Sequence, residues 1–139
     1  MSTYEEEVRE LLRADISSGR LEEAADFAEV FSHLASVFPV SGSKISWSKV
    51  SGSIEKTRDS CGELEFFDEL CGKFFLKGPV IYVGDGATDF VLRGGVDVMR
   101  DVLLLLIGIP QHHYFIDSEY HWCMCFTMEG HMAFGMIGG

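Results

Sequence analysis

The side chains best suited to chemistry are concentrated near the end of the chain. Four of its five histidines and two of its four cysteines follow Pro110. These residues are His112, His113, His121, Cys123, Cys125 and His131. Imidazole and thiolate groups are common zinc ligands, and a thiol beside an imidazole can act as a nucleophile. The segment therefore suggests two kinds of site, a zinc site and a Cys/His catalytic pair.

Zinc binding depends on how a predicted hairpin orients these side chains. The apolar alternation predicts two strands that meet at Glu129-Gly130. Because side chains alternate between the faces of a strand, His121, Cys123 and Cys125 share one face. A two-residue turn places His131 on the opposite face, whereas a three-residue loop reverses that placement. The chain contains no Cys-x-x-Cys, so we expect no metal or other cofactor; if zinc is bound, the predicted ligands are His121, Cys123 and Cys125.

A catalytic pair requires a thiol that loses its proton easily. Cys123 or Cys125 could be activated by a neighbouring imidazole. The candidate bases are His112, His113 and His121. Both cysteines have Trp, Met or Phe as neighbours, however, and cysteines in such strands are usually inert core residues. We therefore predict a non-enzymatic protein with no catalytic residue.

A Gly-Asp-Gly motif lies earlier in the chain, within residues 83–89. It resembles the Gly-Asp-Gly-x-x-Asp signature with which phosphatases of the haloacid dehalogenase type hold Mg²⁺. That family also requires an Asp-x-Asp nucleophile motif, which residues 1–80 lack. Asp85-Gly86 is typical of a two-residue hairpin turn. The motif therefore predicts a turn between strands at residues 80–84 and 87–92.

The elements that must position these residues follow from hydrophobic periodicity. Apolar spacing and end signals predict helices over residues 3–16, 21–38, 60–71 and 97–107, the last the most buried. Residues 44–50 alternate like a short edge strand. We predict one α+β domain over residues 1–139, with helices packed on one face of an antiparallel sheet of four to six strands. Residues 1–40 are its acidic helical part, and residues 79–139 are its sheet-rich part with one buried helix.

The charge distribution restricts the possible partners. The formal net charge is −11, residues 1–40 carry nine acids and three bases, and no Lys or Arg follows Arg100. Nucleic-acid binding relies on cationic contacts to phosphates, so direct binding to nucleic acid or to an anionic membrane is disfavoured. An acidic surface instead favours fast association with a basic partner.

The chain lacks the patterns of an exported or membrane protein. Its longest apolar run, residues 102–109, is far shorter than the roughly eighteen residues a membrane span needs. Residues 1–7 lack the basic and apolar regions of a signal peptide. We therefore expect a cytoplasmic protein whose four cysteines are free thiols.

The order of predicted elements carries a resemblance to a known group of proteins. Two helices precede a hairpin, a buried helix and then the segments of residues 110–115, 122–130 and 134–135. Over residues 79–135 this order resembles small bacterial immunity proteins that accompany contact-dependent and other polymorphic toxins. The resemblance implies a single-domain, non-enzymatic, cytosolic protein that neutralises a cognate toxin, commonly a basic nuclease, by capping or displacing its active site.

We therefore predict an immunity-type protein that binds a toxin domain by electrostatic complementarity. Acidic helical faces would steer the encounter, with aromatic residues such as Tyr114, Tyr120 and Trp122 as contact candidates. The predicted partner-binding residues are Glu22, Glu23, Asp26, Glu29, Asp117, Glu119 and Tyr120. The alternatives are a Cys/His enzyme, a zinc protein that uses the hairpin, and a domain that binds a small ligand in a cleft beside the hairpin.

Overall fold

An antiparallel sheet forms the centre of the fold. The computed structural model describes residues 3–23, 26–41, 44–85 and 91–137. Its helices are α1 (Thr3–Leu11), α2 (Arg13–Ser17), α3 (Phe27–Val37), α4 (Glu63–Phe74) and α5 (Val96–Ile107). Its strands are β1 (Leu21–Glu23), β2 (Val40–Ser41), β3 (Lys44–Ile45), β4 (Ile54–Thr57), β5 (Pro79–Gly84), β6 (Val91–Gly95), β7 (His113–Asp117), β8 (Trp122–Phe126) and β9 (His131–Met136). A short 3-10 helix, Trp47–Lys49, follows β3.

The sheet confirms the predicted fold class of one α+β domain. Its seven strands follow the order β1-β6-β5-β7-β8-β9-β4, and every neighbouring pair is antiparallel. β2 and β3 form a separate two-stranded ribbon. Strands β5 and β6 pair as predicted. Gly86 of the predicted turn and the first residues of the predicted strand over residues 87–92 lie outside the described residues. None of the helices in the described ranges combines the length and the apolar character needed to cross a membrane.

The buried hydrophobic side chains form two clusters, one on each face of the sheet. On β7, the side chain of Phe115 belongs to one cluster and those of Tyr114 and Ile116 belong to the other. Helices α1, α4 and α5 pack in the first cluster, which we call the α4–α5 face. Helix α3 and the 3-10 helix pack in the second, the α3 face. Neither face is left to solvent along the central strands, because all residues of β7 and β8 are buried.

Two details of the predicted architecture were wrong. Helices cover both faces of the sheet, whereas the prediction placed them on one face. The reason is that β7 and β8 are apolar on both sides, so each side needs a cover. The sheet also has seven strands, more than the predicted four to six. The additional edge strands are β1, from a segment predicted as helix, and β4, from a segment with no predicted strand.

The predicted helix over residues 21–38 begins later than expected. Leu21–Glu23 forms edge strand β1, which pairs with β6, and the Asp26 carboxylate caps α3 by accepting a 2.8 Å hydrogen bond from the Glu29 backbone N–H. Leu21 is buried against Gly94 of β6, where an added Cβ would lie 2.8 Å from the leucine side chain. Burial and strand pairing thus override the helical propensity of Leu-Glu-Glu.

Three further elements differ in extent from their predictions. The predicted strand over residues 44–50 is limited to β3, and the 3-10 helix follows. The predicted helix over residues 3–16 is divided at Leu12 into α1 and α2. Helix α4 continues past Gly72 and ends where Phe75 adopts a left-handed conformation. Helix α5 is where it was predicted, but Leu104 is 58% exposed, so only part of its circumference is buried.

Candidate functional site

Two openings lie on the α3 face of the sheet. The first, which we call the α3 groove, has a volume of about 340 Å³. It is lined by Glu29, Val30, His33, Ile81, Val91, Arg93, Ser118 and Tyr120. The second, the hairpin cavity, has a volume of about 320 Å³. It is lined by Lys44, Ile45, Trp47, His112, Tyr114, Cys125, Thr127, Glu129 and His131.

Tyr120 is held rigidly at one wall of the α3 groove. Its backbone is left-handed, with φ 63°, in the tight turn between β7 and β8. Its N–H donates to the Asp117 carbonyl over 2.8 Å, and its ring stacks on His33 with centroids 3.9 Å apart. A left-handed non-glycine residue costs free energy and persists only where its surroundings hold it. Burial, followed by the Glu29 carboxylate, raises the pKa of Tyr120. The Tyr120 ring is therefore a rigid, uncharged surface on one side of the α3 groove.

The rim of the α3 groove is acidic. Glu29 lies in the first turn of α3, next to the capping Asp26. The β7–β8 turn carries the lining residues Ser118 and Tyr120, and between them the Glu119 side chain is 77% exposed. Asp117 pairs in register with Val80, a residue of the α4–α5 face, and accepts a 3.1 Å hydrogen bond from the His121 backbone N–H. Arg93 brings a cation into the groove and lies 3.5 Å from Glu22 on the neighbouring strand. The carboxylates on these separate segments give the groove a negative rim with a partly neutralised cation inside.

The fold gathers most of the predicted partner-binding residues around this groove. Glu29 and Tyr120 line it, and Glu22 contacts Arg93 at its edge. Asp26, Asp117 and Glu119 lie on the segments that carry these residues. Glu23 points to the opposite face, where its carboxylate pairs with Arg9 at 2.7 Å.

Two assumptions behind the predicted interface were wrong. Glu22 and Glu23 belong to strand β1, and successive side chains on a strand point to opposite faces, so they do not extend an acidic helical face. The contact candidates Tyr114, Tyr120 and Trp122 are only 1%, 8% and 4% exposed. Tyr114 and Trp122 are core residues, and of the three only Tyr120 borders the acidic groove.

A three-residue loop builds the hairpin cavity. The Thr127 N–H donates to the His131 carbonyl over 2.9 Å, and Gly130 has φ +86°. Residues 128–130 therefore form the loop, and the three-residue alternative holds in place of a two-residue turn. His131 then lies on the same face as Cys125, and both line the cavity.

The two hairpin thiols are poor nucleophiles. Cys123 is fully buried, and burial raises its pKa well above the usual range. Burial, followed by the Asp85 carboxylate, raises the pKa of Cys125 to about 12. A thiol that stays protonated at neutral pH lacks the thiolate needed for nucleophilic attack. All four cysteines are free thiols.

The ligand set predicted for zinc is not assembled. The His121 side chain is 65% exposed in the β7–β8 turn, 3.3 Å from Asp117 and away from the buried Cys123. Within the described ranges, Asp117, Glu119 and His121 form the only group of His, Cys, Asp and Glu ligand atoms within 4.8 Å of one another. This group lies at the β7–β8 turn, next to Ser118 and Tyr120 of the α3 groove.

His113 belongs to a buried network on the α4–α5 face. Its Nε2–H donates to the Ile109 carbonyl over 2.9 Å, and its Nδ1 accepts from the Tyr82 hydroxyl over 2.7 Å. Gln111 donates to the same hydroxyl over 3.2 Å. Burial is the main cause that lowers the pKa of His113 to about 4. The imidazole is therefore neutral and structural, and it faces away from Cys125.

His112 is placed differently, at the rim of the hairpin cavity. Its ring nitrogens lie 3.3 Å from Asp85 and 3.5 Å from Glu129, and its backbone N–H donates to Asp85 over 2.8 Å. Sequence reasoning missed this contact and the approach of Lys44 to the same cavity. The alternation of His112 and His113 at the start of a strand already indicated that the two imidazoles face opposite ways.

No protein-family model matches the chain, and a search of curated proteins found no match. The geometry favours the α3 groove as the candidate site for a macromolecular partner. Its rim combines exposed carboxylates from β1, α3 and the β7–β8 turn with the fixed ring of Tyr120. The hairpin cavity is a second opening with a different chemistry.

Proposed function

We propose that this chain is an immunity-type protein that binds and neutralises a cognate, basic bacterial toxin domain, and that the α3 groove is its contact site. The supporting observation is that Glu29 and Tyr120, from distant segments, line one groove and that Glu22 lies 3.5 Å from Arg93 at its edge. The protein would act in the cytoplasm by occupying the toxin and would catalyse no reaction itself.

Electrostatics supports a basic partner. The formal net charge of −11 gives the molecule a long-range negative field, and the groove rim concentrates exposed carboxylates within it. Complementary potentials accelerate encounter and suppress wrong partners. A nuclease-type toxin has the opposite charge because it must bind phosphates. Its basic active-site surface would therefore be drawn to this rim.

The groove also offers a fixed contact point for a basic side chain. Tyr120 loses little conformational freedom on binding, because its turn and its stacking on His33 already hold it. A Lys or Arg from the toxin could lie against this ring and pair with Glu29. Pre-organised aromatic residues commonly contribute much of the binding free energy at interfaces.

The test is co-expression with the product of the neighbouring gene, followed by a binding measurement on the purified pair. We expect the chain to restore growth and to form a complex whose association slows as salt increases. Glu22→Lys with Glu29→Lys should slow association by about tenfold or more.

The matched control is Glu6→Lys with Glu7→Lys on α1, which changes the net charge equally. These residues are exposed on a helix that packs on the α4–α5 face. The control should retain most of the association rate. A neighbouring gene product that neither binds nor harms growth, or equal losses in the two double variants, would contradict the proposal.

One alternative function gains support from a specific observation. The predicted small-ligand domain requires a cleft beside the hairpin, and the hairpin cavity lies there. The enzyme alternative gains none, because the buried thiols of Cys123 and Cys125 stay protonated.

A further inference from the structure

The hairpin cavity has rigid aromatic walls. Trp47 packs so closely on the bare backbone of Gly135 that an added Cβ would lie 3.0 Å from its ring. The Tyr114 ring makes an edge-to-face contact with Phe31, with ring centroids 6.2 Å apart, and this contact restricts its movement. Both walls are therefore in place before any ligand arrives, which lowers the entropic cost of binding.

The dimensions of the cavity suit one small molecule. Its volume of about 320 Å³ lies at the lower end of the range of about 300 to 1,000 Å³ typical of small-ligand pockets. Ile45 and Cys125 make its interior largely apolar. This space accommodates a single aromatic ring with a short polar substituent.

The mouth of the cavity carries charges of both signs. Lys44 enters from β3 and has no ion-pair partner among the described residues. Glu129 enters from the β8–β9 loop, and its side chain is 69% exposed. A hydrogen bond from its own backbone N–H, with His112 and Lys44 nearby, lowers the pKa of Glu129. One ammonium group and one carboxylate therefore face solvent above the apolar interior.

We propose that the hairpin cavity binds a small aromatic zwitterion of the amino-acid type. Its ring would lie between Trp47 and Tyr114, its carboxylate would pair with Lys44, and its ammonium group would pair with Glu129. A ligand with one charge satisfies only one of the two rim groups, so the zwitterion is the best electrostatic match. The site is for binding alone, since the protonated Cys125 thiol offers no nucleophile.

This site is separate from the proposed toxin contact. The α3 groove is lined by α3, β5, β6 and the β7–β8 turn, and the two openings share no lining residue. Ligand binding can therefore be tested on the purified chain alone, and failure of either proposal leaves the other intact.

The test compares three probes by calorimetry and by NMR mapping of amide shifts. L-Phenylalanine carries both charges, 3-phenylpropionate carries only the carboxylate, and 2-phenylethylamine carries only the ammonium group. We expect L-phenylalanine to bind in the millimolar range or better, with shifts at Thr127 and His131. Each singly charged probe should bind about threefold more weakly or worse, as expected for losing one exposed charge pair.

Charge variants assign the two contacts. Lys44→Met should weaken L-phenylalanine and 3-phenylpropionate but leave 2-phenylethylamine unchanged, and Glu129→Gln should show the reverse selectivity. Lys77→Met and Glu7→Gln, on exposed residues that do not line the cavity, should leave all three probes unchanged. The proposal would be overturned if L-phenylalanine did not bind or if the three probes bound equally well. It would also be overturned if neither Lys44→Met nor Glu129→Gln changed the affinity of L-phenylalanine.

Discussion

The two faces of the sheet are covered to different extents. On the α4–α5 face, helices α1, α4 and α5 enclose a continuous core, and its buried polar groups are paired within the network of Tyr82, Gln111 and His113. On the α3 face, the cover is one 11-residue helix, a two-stranded ribbon and a short 3-10 helix. The thinner cover leaves two openings on this face, the α3 groove and the hairpin cavity.

This difference separates residues that stabilise the fold from residues available for binding. The neighbouring residues His112 and His113 show this difference. His113 is 1% exposed and fully hydrogen-bonded, whereas His112 borders the hairpin cavity beside two carboxylates. Changes on the α4–α5 face should therefore alter stability alone. Changes at the openings of the α3 face should alter binding with smaller effects on stability.

The largest expected effect is a loss of stability in acid caused by His113. Its pKa in the folded protein is lowered to about 4, while the unfolded chain has the usual value of about 6.5. Between these values the unfolded state binds the additional proton, so this contribution is complete above about pH 6.5 and is lost as the pH falls towards 4. The linkage amounts to about 3 kcal/mol. Urea denaturation at pH 7.5 and pH 4.5 measures it.

The His113 prediction has two independent checks. His113→Gln should flatten the acid dependence, whereas His121→Gln, at an exposed position, should leave it unchanged. If His113→Gln does not fold, NMR titration of the wild-type imidazole replaces it and should show a neutral ring until about pH 4. Protonation near pH 6.5 would show that the network on the α4–α5 face is open to water.

The next effect concerns a wall of the hairpin cavity. Gly135→Ala would place a Cβ 2.7 Å from Val50 and 3.0 Å from Trp47, so the wall must move. We expect a loss of about 2 kcal/mol, typical of overpacking, together with weaker binding of L-phenylalanine. Thermal and urea unfolding measure the first effect, and calorimetry measures the second.

Gly72→Ala is the matched control for that substitution. Gly72 lies within α4, and its added Cβ would meet no atom within 4 Å. Alanine there should be neutral or stabilise the helix by up to about 1 kcal/mol. Equal stability of the two variants would mean that Trp47 is loosely held and that the cavity is not pre-formed.

A smaller effect is expected for the buried thiols beneath α3. Cys123→Ala with Cys125→Ala removes two core sulfur atoms, which should cost about 1.5 kcal/mol by analogy with the deletion of buried methyl groups. The double variant should still bind the proposed toxin partner with unchanged affinity, because neither cysteine lines the α3 groove. Loss of toxin binding in a fully folded double variant would instead assign the hairpin a direct role.

Local patterns in the sequence predicted much of this fold. Apolar periodicity placed α5, and strand alternation placed Cys123 and Cys125 on one face. The β1 strand was missed because Leu-Glu-Glu favours a helix locally, and only pairing with the distant β6 makes it extended. The turn signal Glu129-Gly130 marked the hairpin but left its loop length open.

The two openings were less predictable than the core. Acid content indicated Glu22 and Glu29, but the approach of Glu29 to Tyr120 and of Glu22 to Arg93 depends on the order of strands in the sheet. The left-handed backbone of Tyr120 has no local sequence signal, since such positions usually carry glycine or asparagine. Lys44 reaches the hairpin cavity only because the β2–β3 ribbon folds onto the sheet.

The smallest expected effect tests whether a charge inside the α3 groove affects association more than the same charge elsewhere on the surface. Arg93 lies in the groove and is only weakly engaged with Glu22 at 3.5 Å, so Arg93→Gln removes a cation that opposes a basic partner. Association with the proposed toxin partner should become about two- to threefold faster at low salt, while stability changes by less than about 0.5 kcal/mol. Arg100→Gln makes the same charge change on the α4–α5 side, where Arg100 pairs with Asp68 at 2.7 Å, and should alter the rate much less. Equal acceleration in both variants would indicate that only net charge matters, and slower association in Arg93→Gln would mean that the guanidinium group itself contacts the partner.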